Sequence, residues 1–210
     1  MLSLSHWSLR YARDRGRAKL YEWRHPGVPW LTRQAVSHLD EFLRSAHTGL
    51  EWGAGRSTAW IAARVRHLVS VETDSAWCAQ VRQSLQRRGL GNVTLRLLDP
   101  ESPSYTGVAT DMDDGTLDFA LVDGISEYRD RCALAVLPKI RPRGLVIVDD
   151  IHRYLPSESR APLSLGPARV PLTPAWADFA SHVAAWDLLW TSDGVRDTAI
   201  WRRPGEHPGL

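Results

Sequence analysis

The chain has 210 residues, 43% apolar and 24% charged, with a formal net charge of +2 at pH 7. That length fits one generous domain with a core of its own, and the balanced composition excludes disordered, collagen-like and fibrous chains. The charge is too small to argue for nucleic acid, no stretch reaches the ~20 apolar residues of a membrane span, and Cys78 and Cys132 offer neither a disulfide framework nor zinc spacing.

No signal peptide is expected, and reduced cysteines point to the cytoplasm. Residues 1–30 are basic, with Arg10, Arg13, Arg15, Arg17, Lys19 and Arg24 against Asp14 and Glu22. They read as a short helix or arm lying on the main domain. The breakers His25-Pro-Gly-Val-Pro29 follow. Thr32 then caps a predicted helix to about Arg44, with Ala35, Val36, Leu39, Phe42 and Leu43 on its buried face.

From there short apolar runs alternate with helical segments. Strands are predicted at Thr48–Trp52, His67–Val71, Asn92–Leu98, Thr116–Val122 and Leu145–Val148. Helices are predicted at Arg56–Val65, Ser75–Arg88 and Glu127–Ile140. This rhythm argues for an α/β, Rossmann-like, doubly wound sheet. Residues 153–174 are proline-rich and read as a lid loop. A helix at Ala175–Trp186 and strands at Asp187–Thr191 and Val195–Arg202 close the chain. Strands so near in sequence pair as a hairpin, so the last one runs antiparallel. Residues 31–204 thus form one domain, and 205–210 a tail.

The segment Leu50-Glu-Trp-Gly-Ala-Gly-Arg-Ser-Thr58 leaves a strand and enters a helix. Gly53 and Gly55 permit close backbone approach and unusual φ values. Glu72 ends the second strand 21 residues after Glu51, where a ribose is gripped through its hydroxyls. A dinucleotide would want a third glycine where Thr58 stands, and no carboxylate beside its phosphates. Glu51 suits a cationic ligand better, and S-adenosylmethionine carries a sulfonium, an ammonium and a ribose but no phosphate.

Glu51-Trp-Gly-Ala-Gly55 resembles motif I of class I S-adenosylmethionine-dependent methyltransferases, and Glu72 resembles their ribose-binding acid. Leu97-Leu-Asp99 resembles the segment that meets the adenine. The resemblance spans roughly Trp30 to Trp201. It implies a seven-strand sheet with a reversed final hairpin. It also implies a donor site drawn from Trp30, Glu51, Gly53, Ala54, Gly55, Ser57, Glu72, Thr73, Asp99 and Asp123.

Three carboxylates close the fourth and fifth strands: Asp123, Asp149 and Asp150. In an open α/β sheet these ends line the ligand crevice. Like charges held close need a cation, a proton or strong donors, and an oxygen-rich set suits Mg²⁺. The arrangement is similar to catechol O-methyltransferase-like and macrocin O-methyltransferase-like enzymes. There the metal holds the acceptor hydroxyl and lowers its pKa. Asp123, Asp149 and Asp150 match the metal-ligand positions. The lysine found three residues after the first aspartate is here Ser126. His152 is the substitute base, beside Asp123 and Asp149 as catalytic candidates, or else a loop histidine bonded to a ligating carboxylate. Metal-free use of the same strand ends stays open.

Among ten tryptophans, Trp60 and Trp77 are assigned to the core, and Trp52 lies beside the cofactor. Arg129 and Arg131 are read as surface residues. The first expectation is O-methylation of a small hydroxylated metabolite in a specialised biosynthetic pathway, with S-adenosylmethionine as donor and Mg²⁺ as helper. Alternatives are a metal-independent N- or C-methyltransferase, a nicotinamide-dependent reductase and a non-catalytic partner subunit. The expected partner is the small acceptor, not nucleic acid or membrane. A homodimer is the commonest assembly of soluble homo-oligomers.

Overall fold

A computed structural model describes residues 8–205. Residues 1–7 of the basic arm and 206–210 of the tail lie outside the described residues.

Seven strands form one sheet: β1 (Thr48–Trp52), β2 (His67–Glu72), β3 (Val93–Leu97), β4 (Leu117–Val122), β5 (Ile140–Asp149), β6 (Asp187–Ser192) and β7 (Asp197–Arg202). Their order is β3-β2-β1-β4-β5-β7-β6. The first five pair in parallel, and β7 runs antiparallel between β5 and β6. The order reverses direction at β1, whose neighbours are β2 and β4. Ligand crevices form outside the carboxyl ends of strands at such a switch point.

Seven helices flank the sheet: α1 (Leu9–Arg24), α2 (Arg33–Phe42), α3 (Arg56–Ala62), α4 (Ser75–Arg87), α5 (Pro103–Gly107), α6 (Arg129–Val136) and α7 (Pro174–His182). The period of two along the strands divides the core. Ala120 and Val122 of β4, Val146 and Val148 of β5 and Trp201 of β7 face the layer of α5, α6 and α7. Phe119, Leu121, Leu145, Ile147 and Ile200 face α2 and α3. Each of the valine, leucine, isoleucine and phenylalanine side chains among them contributes roughly 1.5–3 kcal/mol on burial.

The predicted and observed elements agree in kind, with shifted ends. Thr32 caps α2, its Oγ1 accepting from Ala35 N. The stretch 127–140 is not one helix: Ser126–Tyr128 and Leu137–Lys139 are 3-10 turns around α6, and Pro138 ends the α-helical run. α5 was not foreseen, because its five residues are too few to show a period. The basic segment forms α1, tied to the β6–β7 turn by Glu22 Oε1 and Arg196 Nη2 at 2.8 Å.

Candidate active site

The glycine turn is built from below. Thr58 Oγ1 donates to Glu51 Oε2 at 2.6 Å and accepts from Gly55 N at 2.8 Å. Ser70 Oγ donates to the same Glu51 oxygen at 2.6 Å. Gly53 N and Ala54 N both bond Val71 O, which fastens the turn to β2. Gly53 has φ +93°, and a Cβ there would stand 2.4 Å from Asp123 O. Gly55 has φ −178°, extended backbone that any residue adopts, and a Cβ there would first meet Trp77 at 3.9 Å. Only Gly53 is demanded by conformation.

Above this turn lies a cavity of about 290 Å³. Residues Gly53, Ala54, Gly55 and Ser57 line it from the turn, Glu72 and Thr73 from the end of β2, Asp123 from the end of β4, and Trp30 from the segment before α2. Eight of the ten expected donor residues therefore come together. Glu51 does not line it. It is fully buried beneath the turn, where loss of hydration pushes its carboxyl to about 7 against the pull of its hydroxyl partners. Asp99 does not line it either: it is exposed, and its Oδ1 accepts from Glu101 N in a local turn.

Trp77, expected in the core, is 38% exposed and lines the cavity, with Nε1 donating to Ala54 O at 2.7 Å. Trp52 is instead wholly buried, its Nε1 bonded to Tyr105 O. Tyr105 was missed. It comes from α5, lines the cavity and accepts from Ile125 N at 3.1 Å. Glu72 is preset by Thr73 N at 2.7 Å and Asp74 N at 2.9 Å, both donating to Oε1.

The carboxylates after β4 and β5 lie near one another, and burial, followed by repulsion from Asp123 and Asp150, raises Asp149 well above its ordinary range. Burial, with Asp150 nearby, raises Asp123 to about 6. The expected metal set does not assemble. Asp123 Oδ1 is held by Arg129 Nη2 at 2.8 Å, and Asp149 Oδ1 accepts from Thr198 Oγ1 at 2.7 Å. Asp150 sits in left-handed backbone (φ 54°) with Arg153 Nη1 3.5 Å from its Oδ2. Among the described residues, no group of three or more His, Cys, Asp or Glu is placed to hold a metal ion. A divalent cation does not fit this donor set.

Two further expectations change. Arg129 is not on the surface: it is buried at the start of α6 and reaches under the strand ends. His152 is not placed as a base. It is 1% exposed, with Nε2 bonded to Pro162 O at 3.1 Å, and its own carbonyl accepts from Leu165 N at 2.8 Å. Both bonds latch the proline-rich loop to the turn after β5. Burial lowers its pKa and keeps the ring neutral.

Residues 50–151 match the family model of a methyltransferase domain. A comparison with curated proteins gave no match. Among solved structures, a candidate O-methyltransferase from Klebsiella pneumoniae is 21% identical, with a TM-score of 0.56, covering 92% of this chain and 88% of that one. An rRNA methylase from Streptococcus thermophilus is 10% identical, with a TM-score of 0.58, covering 82% of this chain and 98% of that one. A candidate methyltransferase from Streptococcus mutans, in complex with SAH, is 9% identical, with a TM-score of 0.55, covering 81% of this chain and 97% of that one. Among the described residues no helix is long and apolar enough to cross a membrane. Residues 50–151, from β1 to just beyond β5, thus form a methyltransferase domain, and the strand order with its reversed β7 is that of the class I S-adenosylmethionine-dependent methyltransferase fold.

Proposed function

We propose that the chain transfers the methyl group of S-adenosylmethionine to a hydroxyl of a small-molecule acceptor. The observation that carries this reading is the pair of carboxylates on opposite sides of β1: Glu72 and Asp123 both line the cavity. Two strand spacings put them roughly 10 Å apart, a span that suits a nucleoside at one end and a sulfonium at the other. Glu72 has Oε1 occupied by backbone amides, which leaves Oε2 for the ribose hydroxyls. Asp123 supplies the negative charge that a sulfonium and an ammonium seek. Among the described residues the cavity offers no cluster of cations for phosphates; Arg56 is the one basic residue of its lining there, stacked at 4.8 Å over the Trp30 ring.

On this reading the acceptor occupies the 490 Å³ depression whose lining begins at Ser126, one residue beyond Ile125 of the donor cavity, and continues through Glu127, Arg153, Tyr154, Leu163 and Leu172. The latched loop forms one wall of it. A pocket with this mixture of apolar and polar groups suits a small molecule. In the reaction the acceptor oxygen attacks the methyl carbon in line, the carbon–sulfur bond breaks, and the bonding pair stays on sulfur as the neutral thioether. The acceptor proton passes to Asp123. At about 6, its carboxyl is ionised at neutral pH yet basic enough to accept that proton. Positioning of the two reactants supplies much of the rate.

Incubation with S-adenosylmethionine and a panel of hydroxylated and amine-bearing metabolites tests the reading. The expected result is a methyl ether and an equal amount of S-adenosylhomocysteine by mass spectrometry. Methylation of RNA, with none of the panel modified, would contradict it.

A further inference from the structure

We propose that Arg129 is a built-in cation that does for the strand-end carboxylates what a divalent ion would otherwise do, so that methyl transfer here is independent of metal. The guanidinium is nearly buried, and its hydrogen bonds run to the ends of β4 and β5. Nη2 donates to Asp123 Oδ1 at 2.8 Å and to Asp123 O at 3.2 Å. Nη1 donates to Asp149 O at 2.7 Å, and Nε donates to Gly124 O at 2.8 Å. One planar group thus joins two strands that sit side by side and fixes the carboxylate that faces the cavity.

The placement is costly in its own helix. Arg129 occupies the first turn of α6, where the partial positive charge of the helix end disfavours a cation. A buried guanidinium there needs a carboxylate to hold it, and Asp123 supplies it at 2.8 Å, with Asp149 and Asp150 close by. The three aspartates in turn need positive charge. Arg129 already holds Asp123 Oδ1, and a divalent ion on the same carboxylate would be strongly repelled by the guanidinium beside it. During turnover, the sulfonium loses its charge as the methyl leaves. Arg129 stays and holds Asp123 in one orientation as it receives the acceptor proton. It touches no reacting atom and is a positioning residue.

This inference rests on the methyltransferase reading for its consequence, but its test reads cation binding. Mn²⁺ is titrated into the full chain and followed by the paramagnetic signal of the free ion. S-Adenosylhomocysteine binding is measured in the same samples. The wild-type protein is expected to take up no Mn²⁺ beyond that taken by Asp149→Asn, and to keep its turnover in EDTA. Arg129→Gln is expected to gain one Mn²⁺ site with a Kd of roughly 0.1–1 mM, the range of weak oxygen-ligand sites, and to lose it again when Asp149→Asn is added.

A wild-type Mn²⁺ site that disappears in Asp149→Asn, or turnover stopped by EDTA and restored by Mg²⁺, would overturn the proposal. So would a folded Arg129→Gln protein that gains no Mn²⁺. If that variant does not fold, the two wild-type measurements decide. Failure of S-adenosylhomocysteine to bind would count against the donor site and leave the Mn²⁺ outcomes readable.

Discussion

Thr58 Oγ1 lies 2.6 Å from Glu51 Oε2 and at the same time accepts the amide of Gly55 at 2.8 Å. The threonine standing where a dinucleotide fingerprint would have a third glycine therefore braces the turn against the first strand. Thr58→Val keeps the shape and removes both bonds. It leaves the half-buried Gly55 amide without this partner and Glu51 Oε2 with Ser70 Oγ as its remaining donor, at a cost of about 1–3 kcal/mol in all. The expected result is a lowered Tm in a thermal melt and weaker donor binding by calorimetry.

Glu51 gives a pH dependence whose sign is fixed. Its carboxyl is raised from 4.5 to about 7 by burial. A carboxyl raised in the folded state favours folding below its unfolded value and loses that contribution as pH rises through the folded value. Glu51→Gln removes the charge, so the variant gains on the wild type between about pH 5 and pH 8, on the order of 2–3 kcal/mol. Urea unfolding at the two pH values measures the difference. An advantage that shrinks as pH rises would contradict the burial of this carboxyl.

The two glycines of the turn are not equivalent. Gly53→Ala places a methyl 2.4 Å from a backbone oxygen at a φ of +93°. Strain of ~1–3 kcal/mol adds to that clash, and loss of donor binding is expected even where the protein folds. Gly55→Ala meets only Trp77 at 3.9 Å and should leave the stability within about 1 kcal/mol of wild type. Paired thermal melts check both.

His152 holds the proline-rich loop rather than a proton in flight. Its pKa is lowered from 6.5, chiefly by burial. The stabilisation from the neutral ring is full above 6.5 and is lost as pH falls through the lower folded value. Protection of the amides of residues 154–173, with the intrinsic exchange rate at each pH divided out, is therefore expected to fall in mild acid. His152→Ala, which removes the Nε2 bond and keeps the backbone one, should show the lowered protection already at pH 8 while binding S-adenosylhomocysteine normally. Unchanged protection in both conditions would show that the imidazole does not hold the loop.

Much of this architecture was legible in the sequence because the signals are local. The apolar run Leu145–Val148 reads as a strand covered on both faces, and Glu51-Trp-Gly-Ala-Gly55 with Glu72 marks the cavity through spacing alone. What escaped is set by contacts distant in the chain. Asp99 shares its segment with the expected adenine site but turns back on Glu101 N. Glu51 sits in the motif, yet burial under Thr58 and Ser70 keeps it from the cavity. Arg129 carried a signal that could have been used: a cation in the first turn of a helix is disfavoured unless a carboxylate from elsewhere compensates it. His152 had none, since its partner Pro162 lies in a loop with no period to read.

Titration of S-adenosylhomocysteine into the wild-type chain and into Glu72→Ala, by calorimetry, tests the donor cavity most directly. Binding of one molecule to the wild type, weakened at least roughly tenfold when the ribose-facing hydrogen bonds of about 1.5–3 kcal/mol are removed, is the expected result. A wild-type chain that takes up neither S-adenosylmethionine nor its product, or a Glu72→Ala chain that binds as tightly as wild type, would contradict the placement of the donor between the ends of β2 and β4.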